Sequence, residues 1–425
     1  MPRRPPVLVV QAAAGRRAHG ESLRRRRKHT FDGQTLTRDN RTKDRMRVLM
    51  TTTSSSLMDG INRHILEIAP ALVAYGVDVA VCITHARGPL HEALAAAGVR
   101  VYSLEARNGH DLRIFWRLDR IMKEFKPDVC HIHVLPFMAK VVFALKYRNL
   151  KYVVTAHGIC DPLVHVPIKL RLESLLWRPF NLDLSAVVYV SNGVRAAVEN
   201  SISAKIHRVV YNPIDIKSIQ RGALRKELGL GQDVPIVGTA CRIAAVKRPM
   251  AFTEVMVQIL RKIPSAHAVV IGAGEPALEE EMRKFVTASD VSSRFHFLGA
   301  RTDAKELIAD LDCFVLTSAR EGMPTALLEA MSAKVPVVFW KGEGGLIDLA
   351  QINDGERPFA VVEEQGDVQG LVYGILRMMH GGEEVESMRN GEIEVCRRHF
   401  DLGRIAGQLQ GVYEEVVGLR GANVV

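Results

Sequence analysis

From Met46 onward, the chain alternates short runs rich in β-branched residues with longer segments in which apolar residues recur at helical spacing. In the first of these longer segments, Ile65, Ile68 and Leu72 fall on one face of a helix. The pattern predicts strands at 48–52, 77–83, 100–104, 128–133, 152–157, 186–190 and 208–211, and helices at 62–75, 89–97 and 111–125. Such alternation favours a parallel sheet covered by helices on both faces.

A second series of the same kind begins near Pro235. It predicts strands at 236–240, 268–271, 295–298, 313–316, 335–339 and 359–362, and helices at 250–262, 275–288, 302–311, 325–333 and 368–380. Asn212 and Pro213 mark a turn between the two series. Two doubly wound α/β units in succession imply a cleft between two similar domains, with ligands beyond the carboxyl ends of the strands.

These patterns divide the chain into four parts. Residues 1–45 form a basic tail, 46–215 a first Rossmann-like domain and 216–400 a second one. Residues 401–425 hold a last helix, at 404–417, that we expect to cross back to the first domain. The tail has five consecutive cations at 24–28 and little apolar periodicity, which favours disorder. It is either a flexible tail or sequence upstream of the true start codon.

Composition narrows the class of protein. The 425 residues are 47% hydrophobic, which is ample material for two packed domains. The six cysteines are scattered singly, at 82, 130, 160, 241, 313 and 396, a pattern typical of reduced thiols in a cytoplasmic protein. No apolar run reaches the roughly 18 residues that a membrane span needs.

The net charge of +10 is unevenly distributed. Residues 1–45 hold 13 Lys and Arg against 4 Asp and Glu, and residues 46–227 hold 24 against 15. Residues 228–425 hold 20 against 28. This asymmetry does not indicate a nucleic-acid partner, but a basic first half is able to face anionic lipid or a phosphorylated acceptor.

Two carboxylates, Glu321 and Glu329, flank the turn that opens the predicted helix at 325–333. A strand precedes this turn, so the helix presents free backbone N–H groups and its positive end to an anion. Carboxylates beside such an anion site suit a sugar nucleotide, whose hydroxyl groups need acceptors near the diphosphate. The alternative is a solvated capping glutamate and a second glutamate on the helix surface.

Two cations, Arg242 and Lys247, follow the predicted strand at 236–240. Arginine offers a planar fork of donors and lysine a compact charge, so the pair is able to neutralise a diphosphate. The alternative is a pair of ordinary surface cations.

The order of these motifs resembles that of the family 4 glycosyltransferases, which are retaining enzymes of the GT-B fold. The resemblance covers residues 46–418. It is carried by eight pieces that come in the family's order, at 46–60, 127–133, 155–158, 190–191, 210–215, 241–247, 271–274 and 321–329. It implies that Arg242 and Lys247 stabilise the departing diphosphate.

The resemblance also assigns the residues of the 321–329 element. Glu329 is implied to bind the ribose, and Glu321 to contact hydroxyl groups of the transferred sugar. The backbone N–H groups of Gly322, Met323 and Thr325 complete the donor site. Glu321 as a covalent nucleophile is the minority view of the mechanism.

Further site residues follow from the same resemblance. Gly60 permits close approach of the backbone to a ligand, although the family usually has a glycine pair where this chain has Asp59 and Gly60. His157 is implied to line the cleft near the transferred sugar, and His133 is a weaker candidate. Gly272 and Gly274 lie near the nucleotide.

Two motifs imitate other kinds of site. Gly272 and Gly274 follow a strand, as in a dinucleotide fingerprint, but they lie in the second sheet and no acidic strand end follows. Asp310 and Asp312 imitate a metal-binding pair but span a helix end and a strand start. We therefore expect no cofactor and no metal, with Arg242 and Lys247 doing what a divalent cation does elsewhere.

Residues 163–182 mix basic and aromatic side chains with leucine and isoleucine, which suits contact with an anionic membrane surface. The sequence thus predicts a cytoplasmic enzyme, at or near the inner membrane face. It would move a sugar from a nucleotide-sugar to a glycan or lipid-linked glycan in cell-envelope or exopolysaccharide synthesis. The alternatives are a sugar phosphorylase or synthase of the same fold, and a non-catalytic protein that binds nucleotide-sugar as a scaffold.

Overall fold

The computed structural model describes residues 45–159, 182–216, 219, 221–355 and 358–418. The basic tail up to residue 44 and all but the end of the predicted membrane-contact segment at 163–182 lie outside these residues. The domain boundaries at 215/216 and 400/401 stay predictions.

The first sheet has seven strands, and every pair of neighbours is parallel. Its strands are β1 (Arg47–Thr52), β2 (Asp78–Ile83), β3 (Arg100–Ser103), β4 (Val129–Ile132), β5 (Lys151–Ala156), β6 (Leu184–Tyr189) and β7 (Ala204–Val209). Their order across the sheet is β3-β2-β1-β4-β5-β6-β7. The chain therefore starts in the middle of the sheet and winds outward in both directions, as the doubly wound pattern predicts.

Helices cover both faces of this sheet. In the described part of the first half they are Gly60–Ala74, Pro89–Ala96, Arg113–Phe125, Phe137–Lys146 and Asn192–Val198. Gly60–Ala74 starts at Asp59, whose carboxylate accepts a hydrogen bond from Ile61 N over 2.9 Å. Its predicted apolar face, with Ile65 and Ile68, is fully buried.

The second sheet has six parallel strands. They are β8 (Ile236–Ala240), β9 (His267–Ile271), β10 (Phe295–Gly299), β11 (Cys313–Leu316), β13 (Val337–Lys341) and β15 (Ala360–Glu364), in the order β10-β9-β8-β11-β13-β15. A separate ribbon pairs β12 (Arg320–Glu321) with β14 (Glu343–Gly344). The helices are Ala223–Leu228, Pro249–Lys262, Pro276–Thr287, Ala304–Ile308, Thr325–Ser332, Gly345–Gly355, Val368–Met379 and Glu383–Val395. The two Rossmann-like domains predicted from the sequence are confirmed.

The last helix, Leu402–Gly418, packs on the first sheet. Its buried residues share one core with β1 and with the helix Gly60–Ala74, and they are Ile405, Ala406, Leu409, Val412, Tyr413 and Val416. The Tyr413 hydroxyl lies 2.6 Å from His131 Nδ1 in β4. The first sheet is thus covered by a segment that follows the second sheet in the chain.

A carboxylate of the second half caps a helix of the first half. Asp348, which is 2% exposed, accepts hydrogen bonds from Asn192 N over 2.7 Å and from Gly193 N over 2.8 Å. The Tyr211 hydroxyl donates to the same carboxylate over 3.0 Å. A buried anion at a helix N-terminus is electrostatically favourable, so this contact stabilises the pairing of the two halves.

Some predicted elements were wrong in extent. The strand predicted at 208–211 is Ala204–Val209, an edge strand whose polar residues hide its period. The helix predicted at 302–311 ends at Ile308, and Asp310 instead accepts hydrogen bonds from Gly222 N and Leu224 N. In the described part of the chain, five helices were not predicted, namely Phe137–Lys146, Asn192–Val198, Ala223–Leu228, Gly345–Gly355 and Glu383–Val395.

The sequence also predicted reduced cysteines and no membrane span. The cysteines that the structure describes are free, and Cys82, Cys130, Cys313 and Cys396 are buried. Within the described part of the chain, no helix combines the length and the apolar character that crossing a bilayer requires.

Candidate active site

A cavity of about 760 Å³ lies where the carboxyl ends of the two sheets face each other. Its volume falls within the roughly 300–1,000 Å³ typical of small-molecule sites. The first half lines it with Ser54, Ser56, Met58, Asp59, Gly60 and Arg63, and the second half with residues that include Arg242, Lys247, Gly272, Glu321, Met323, Thr325 and Glu329. The structure thus brings most of the predicted site residues to one place.

Lys247 and Glu321 form an ion pair at one side of the cavity. The Lys247 ammonium and the Ser318 hydroxyl both donate to Glu321 Oε1, the latter over 2.6 Å. Thr317 Oγ1 donates to the Lys247 carbonyl over 2.9 Å and so ties the two loops together. Glu321 lies in the ribbon strand β12 rather than in a free loop, which fixes the direction of its side chain.

Arg242 is an exposed residue between β8 and the turn that carries Lys247. Among the described residues, no carboxylate forms an ion pair with its guanidinium. An incoming anion therefore finds one cation already available and a second one, Lys247, paired with a carboxylate that is able to exchange partners.

Glu329 lies one turn into the helix Thr325–Ser332 and is 4% exposed. Burial raises the pKa of its carboxyl group, and the nearby Arg63 guanidinium opposes this rise. Arg63 Nη1 donates to Glu329 Oε1 over 3.2 Å. No described residue donates to the other oxygen, Oε2, which is buried. A buried acceptor of this kind is costly unless a ligand hydroxyl or another donor satisfies it.

The start of the same helix offers backbone donors to the cavity. Pro324, which has no N–H, precedes the first helical residue. Among the described residues, none accepts a hydrogen bond from the N–H groups of Met323, Thr325 or Ala326, all of which line the cavity. Free N–H groups at the positive end of a helix favour an anion.

Gly272 and Gly274 have a structural role that the sequence did not predict. A Cβ added at Gly272 would lie 1.9 Å from the Cys241 carbonyl oxygen, and one at Gly274 would lie 1.9 Å from that of Ile243. These glycines let the loop after β9 press against the backbone on either side of Arg242. Gly272 also lines the cavity.

Four histidines of the first half form a cluster in which His64, His131 and His133 are buried and His157 is partly exposed. His157 follows β5, and its Nε2 lies 2.9 Å from Nδ1 of His133, which follows β4. The rings of His131 and His64 lie 4.2 Å and 5.4 Å from that of His133. Burial lowers the pKa of all four imidazoles, to about 3 for His131 and about 4 for His64, so they are neutral at pH 7.

His157 touches the second half through its backbone. A Cβ added at Gly322 would lie 1.8 Å from the His157 carbonyl oxygen, so the two main chains are in direct contact. Gly60 has no such neighbour within 4 Å and lines the cavity at the start of its helix. His133 is fully buried and does not line the cavity.

The sequence did not predict Arg63 or Arg301 as site residues. Arg63 lies one turn into the helix that begins at Gly60, so helical spacing from Gly60 was a signal for it. Arg301 lines the cavity, with its guanidinium bound to Glu227 over 2.7 Å and to Asp303 over 2.8 Å. Within the described ranges, no cluster of three or more metal-binding side chains is present.

Two family models match the chain and together span both halves. The model described as Glycosyltransferase Family 4 matches residues 58–218, and the one described as Glycosyl transferases group 1 matches residues 220–394.

Curated relatives match at low identity. The N-acetyl-alpha-D-glucosaminyl L-malate synthase of Bacillus anthracis is 22% identical over 343 residues, which are 75% of this chain and 83% of the relative. The UDP-Gal:alpha-D-GlcNAc-diphosphoundecaprenol alpha-1,3-galactosyltransferase of Escherichia coli is 31% identical over 177 residues, which are 40% of this chain and 44% of the relative.

A solved structure with the same fold is that of HepE from Anabaena in complex with UDP and glucose. It superposes with a TM-score of 0.72 at 22% identity, over 87% of this chain and all of HepE.

Proposed function

The chain belongs to the family 4 glycosyltransferases and has their GT-B fold, and we propose that it transfers a sugar with retention of its anomeric configuration. As an enzyme it uses a nucleotide-sugar donor. The acceptor in this proposal is a glycan or a lipid-linked glycan. The observation that carries it is the cavity in which Glu329 Oε2, the Lys247–Glu321 pair and the free helix N–H groups converge.

Each of these groups suits one part of a nucleotide-sugar. The ribose hydroxyls donate to Glu329, which has an oxygen without a partner among the described residues. The diphosphate binds Arg242 and Lys247, which together balance about two negative charges. As Lys247 turns to the diphosphate, Glu321 is released to accept hydrogen bonds from hydroxyl groups of the transferred sugar. The N–H groups of Met323 and Thr325 point to the same anion.

The reaction breaks the bond between the anomeric carbon and the phosphate oxygen and forms one to an acceptor hydroxyl oxygen. The departing phosphate oxygen takes the hydroxyl proton on the same face of the sugar, which retains the configuration. Arg242 and Lys247 stabilise the charge that develops on the leaving group, without a metal ion. The neutral His157 contributes a polar contact to the sugar and carries no charge into the site.

The acceptor and the pathway come from the relatives. The Escherichia coli relative is named for transfer to a sugar on a diphosphoundecaprenol lipid. By analogy, this chain extends a lipid-linked glycan in polysaccharide or cell-envelope synthesis, at the cytoplasmic face of the membrane.

An exposed apolar surface on the first half supports membrane contact. Leu112 is 64% exposed and Trp116 is 65% exposed, one turn apart at the start of the helix Arg113–Phe125. Arg120 extends the same exposed face by one further turn. An aromatic side chain beside a basic one suits the surface of an anionic bilayer.

Calorimetry of the full chain tests the donor site. UDP, GDP and ADP are titrated separately without metal, and then again into Glu329→Gln and into the exposed control Glu394→Gln. We expect one nucleotide to bind, with affinity reduced about 10-fold or more in Glu329→Gln, because a ribose hydroxyl loses a charged acceptor. Failure of all three nucleotides to bind, or equal binding by both variants, would contradict the proposal.

A further inference from the structure

Arg63 reaches across the cavity from the first half to the second. Its Nη1 donates to Glu329 Oε1 over 3.2 Å, and the two residues are 266 positions apart. Its Nε donates to the Leu57 carbonyl over 3.1 Å, in the loop before its helix. Two bonds in different directions fix the guanidinium between that loop and the carboxylate, so its placement is not that of a free surface cation.

The carboxylate that Arg63 binds has one oxygen without a hydrogen-bond donor among the described residues. Glu329 is almost fully buried, and its Oε2 has no donor among the described residues. With Oε1 bound to Arg63, rotation of the carboxylate is restricted and Oε2 is left for a ligand. A ribose hydroxyl is therefore able to bind Glu329 without displacing Arg63.

Other charged groups surround this pair. Glu67 lies one turn after Arg63, and burial followed by the charge of Glu329 raises its pKa to about 7. Lys305 donates to the Asp215 carbonyl over 3.0 Å and lowers the pKa of both glutamates. The charge of Asp215 raises the pKa of Glu67 further, and the charge of Glu306 raises that of Glu329. Among the described residues that act on this pair, four carboxylates thus face two cations, Arg63 and Lys305.

We propose that Arg63 is a positioning residue for the donor, which holds Glu329 from the opposite domain so that Oε2 accepts from the ribose. The proposal rests on the proposed function, because it takes Glu329 to be the ribose ligand. The proposal also couples ribose binding to closure of the cleft between the two domains. The Arg63–Glu329 contact exists only when the domains are close, so ribose binding to a held Glu329 favours the closed cleft.

The proposal predicts a specific pattern of lost affinity. Arg63→Gln should lower the affinity for the nucleotide that the wild type binds by about 10- to 100-fold, because a hydrogen bond to a charged group is lost. The 2′,3′-dideoxy form of that nucleotide should bind wild type and variant alike, because it offers Glu329 no hydroxyl. Arg63→Gln combined with Glu329→Gln should bind no more weakly than Glu329→Gln alone.

A pH profile provides a second readout. Without Arg63 the pKa of Glu329 should rise further, since burial already raises it. As the pH is lowered, ribonucleotide affinity in Arg63→Gln should then begin to fall at a higher pH than in the wild type, because the carboxylate becomes protonated earlier. Glu67, whose pKa is raised to about 7, lies beside this carboxylate, so the profile is repeated in a Glu67→Gln background, where the difference between wild type and Arg63→Gln should persist.

Calorimetry of the full chain with both nucleotide forms decides the matter. Arg63→Lys should restore part of the affinity, and the exposed control Arg404→Gln should leave it unchanged. Equal loss for the ribose and dideoxy forms would overturn the proposal, since it would place Arg63 on the phosphates. No loss in Arg63→Gln would overturn it as well. If Glu329→Gln itself binds normally, the proposed function fails; if only Arg63→Gln binds normally, the positioning role alone fails.

Discussion

Gly322→Ala should lower the activity of the enzyme strongly while leaving both domains folded. A Cβ at this position would lie 1.8 Å from the His157 carbonyl oxygen, whereas real Cβ atoms essentially never approach closer than 3.0 Å. The obstacle is backbone, so no side-chain rotation relieves it. The two main chains would have to separate by at least 1.2 Å.

This separation acts directly on the chemistry, because Gly322 follows Glu321. A shift of about 1 Å between reacting groups costs about 100-fold in rate. Overpacking costs about 1–3 kcal/mol of stability, which a chain with two large cores is expected to survive. We therefore expect kcat/KM to fall by about 100-fold, with a modest drop in the melting temperature.

The assay measures sugar transfer with the donor named by calorimetry, together with thermal unfolding. Gly411→Ala is the control, since a Cβ there meets nothing within 4 Å and the residue is in the helix Leu402–Gly418. It should keep full activity and gain about 0.5–1 kcal/mol of stability. Full activity of Gly322→Ala at an unchanged melting temperature would refute the reasoning, because it would mean that the two backbones separate freely.

Two further substitutions test other parts of the molecule. Lys247→Met should lower kcat by about 100- to 1,000-fold, because the leaving diphosphate loses a cation. The control Lys284→Met changes an exposed lysine and should have no effect. Equal steady-state rates for the two variants would contradict the role of Lys247. Trp116→Ser should lower the affinity for vesicles of anionic phospholipid, measured by co-sedimentation, by about 10-fold or more. The control Tyr373→Ser, which removes a 69% exposed aromatic from the second half, should leave that affinity unchanged. Equal binding of the wild type to neutral and anionic vesicles at low salt would refute the membrane contact.

The sequence predicted those features of the site that depend on residues close together in the chain. Arg242, Lys247 and Glu321 each follow a strand of the second half, and parallel strands end at one edge, so their convergence was foreseeable. The Arg63–Glu329 contact was not, because it depends on how two domains pack. Gly322 was predicted to serve through its N–H, but its tightest constraint is the carbonyl of a residue in the other half.

Missed elements have a similar cause. The helix Phe137–Lys146 is apolar on nearly every side, so it shows no helical period. Gly345–Gly355 carries Asp348, whose carboxylate caps a helix of the other domain. The role of Asp348 depends on its hydrogen bonds from Asn192 N and Gly193 N, and nothing near position 348 in the sequence indicates these partners.

The helix Leu402–Gly418 has a consequence for how the protein is made. Synthesis proceeds from the N-terminus, so the strands β1–β7 leave the ribosome long before the helix that buries one of their faces. Until the last residues emerge, an apolar surface around Val48 and Ile65 stays uncovered and open to aggregation. A nonsense mutation shortly after residue 400 would therefore spare the second sheet and still leave the first one incomplete.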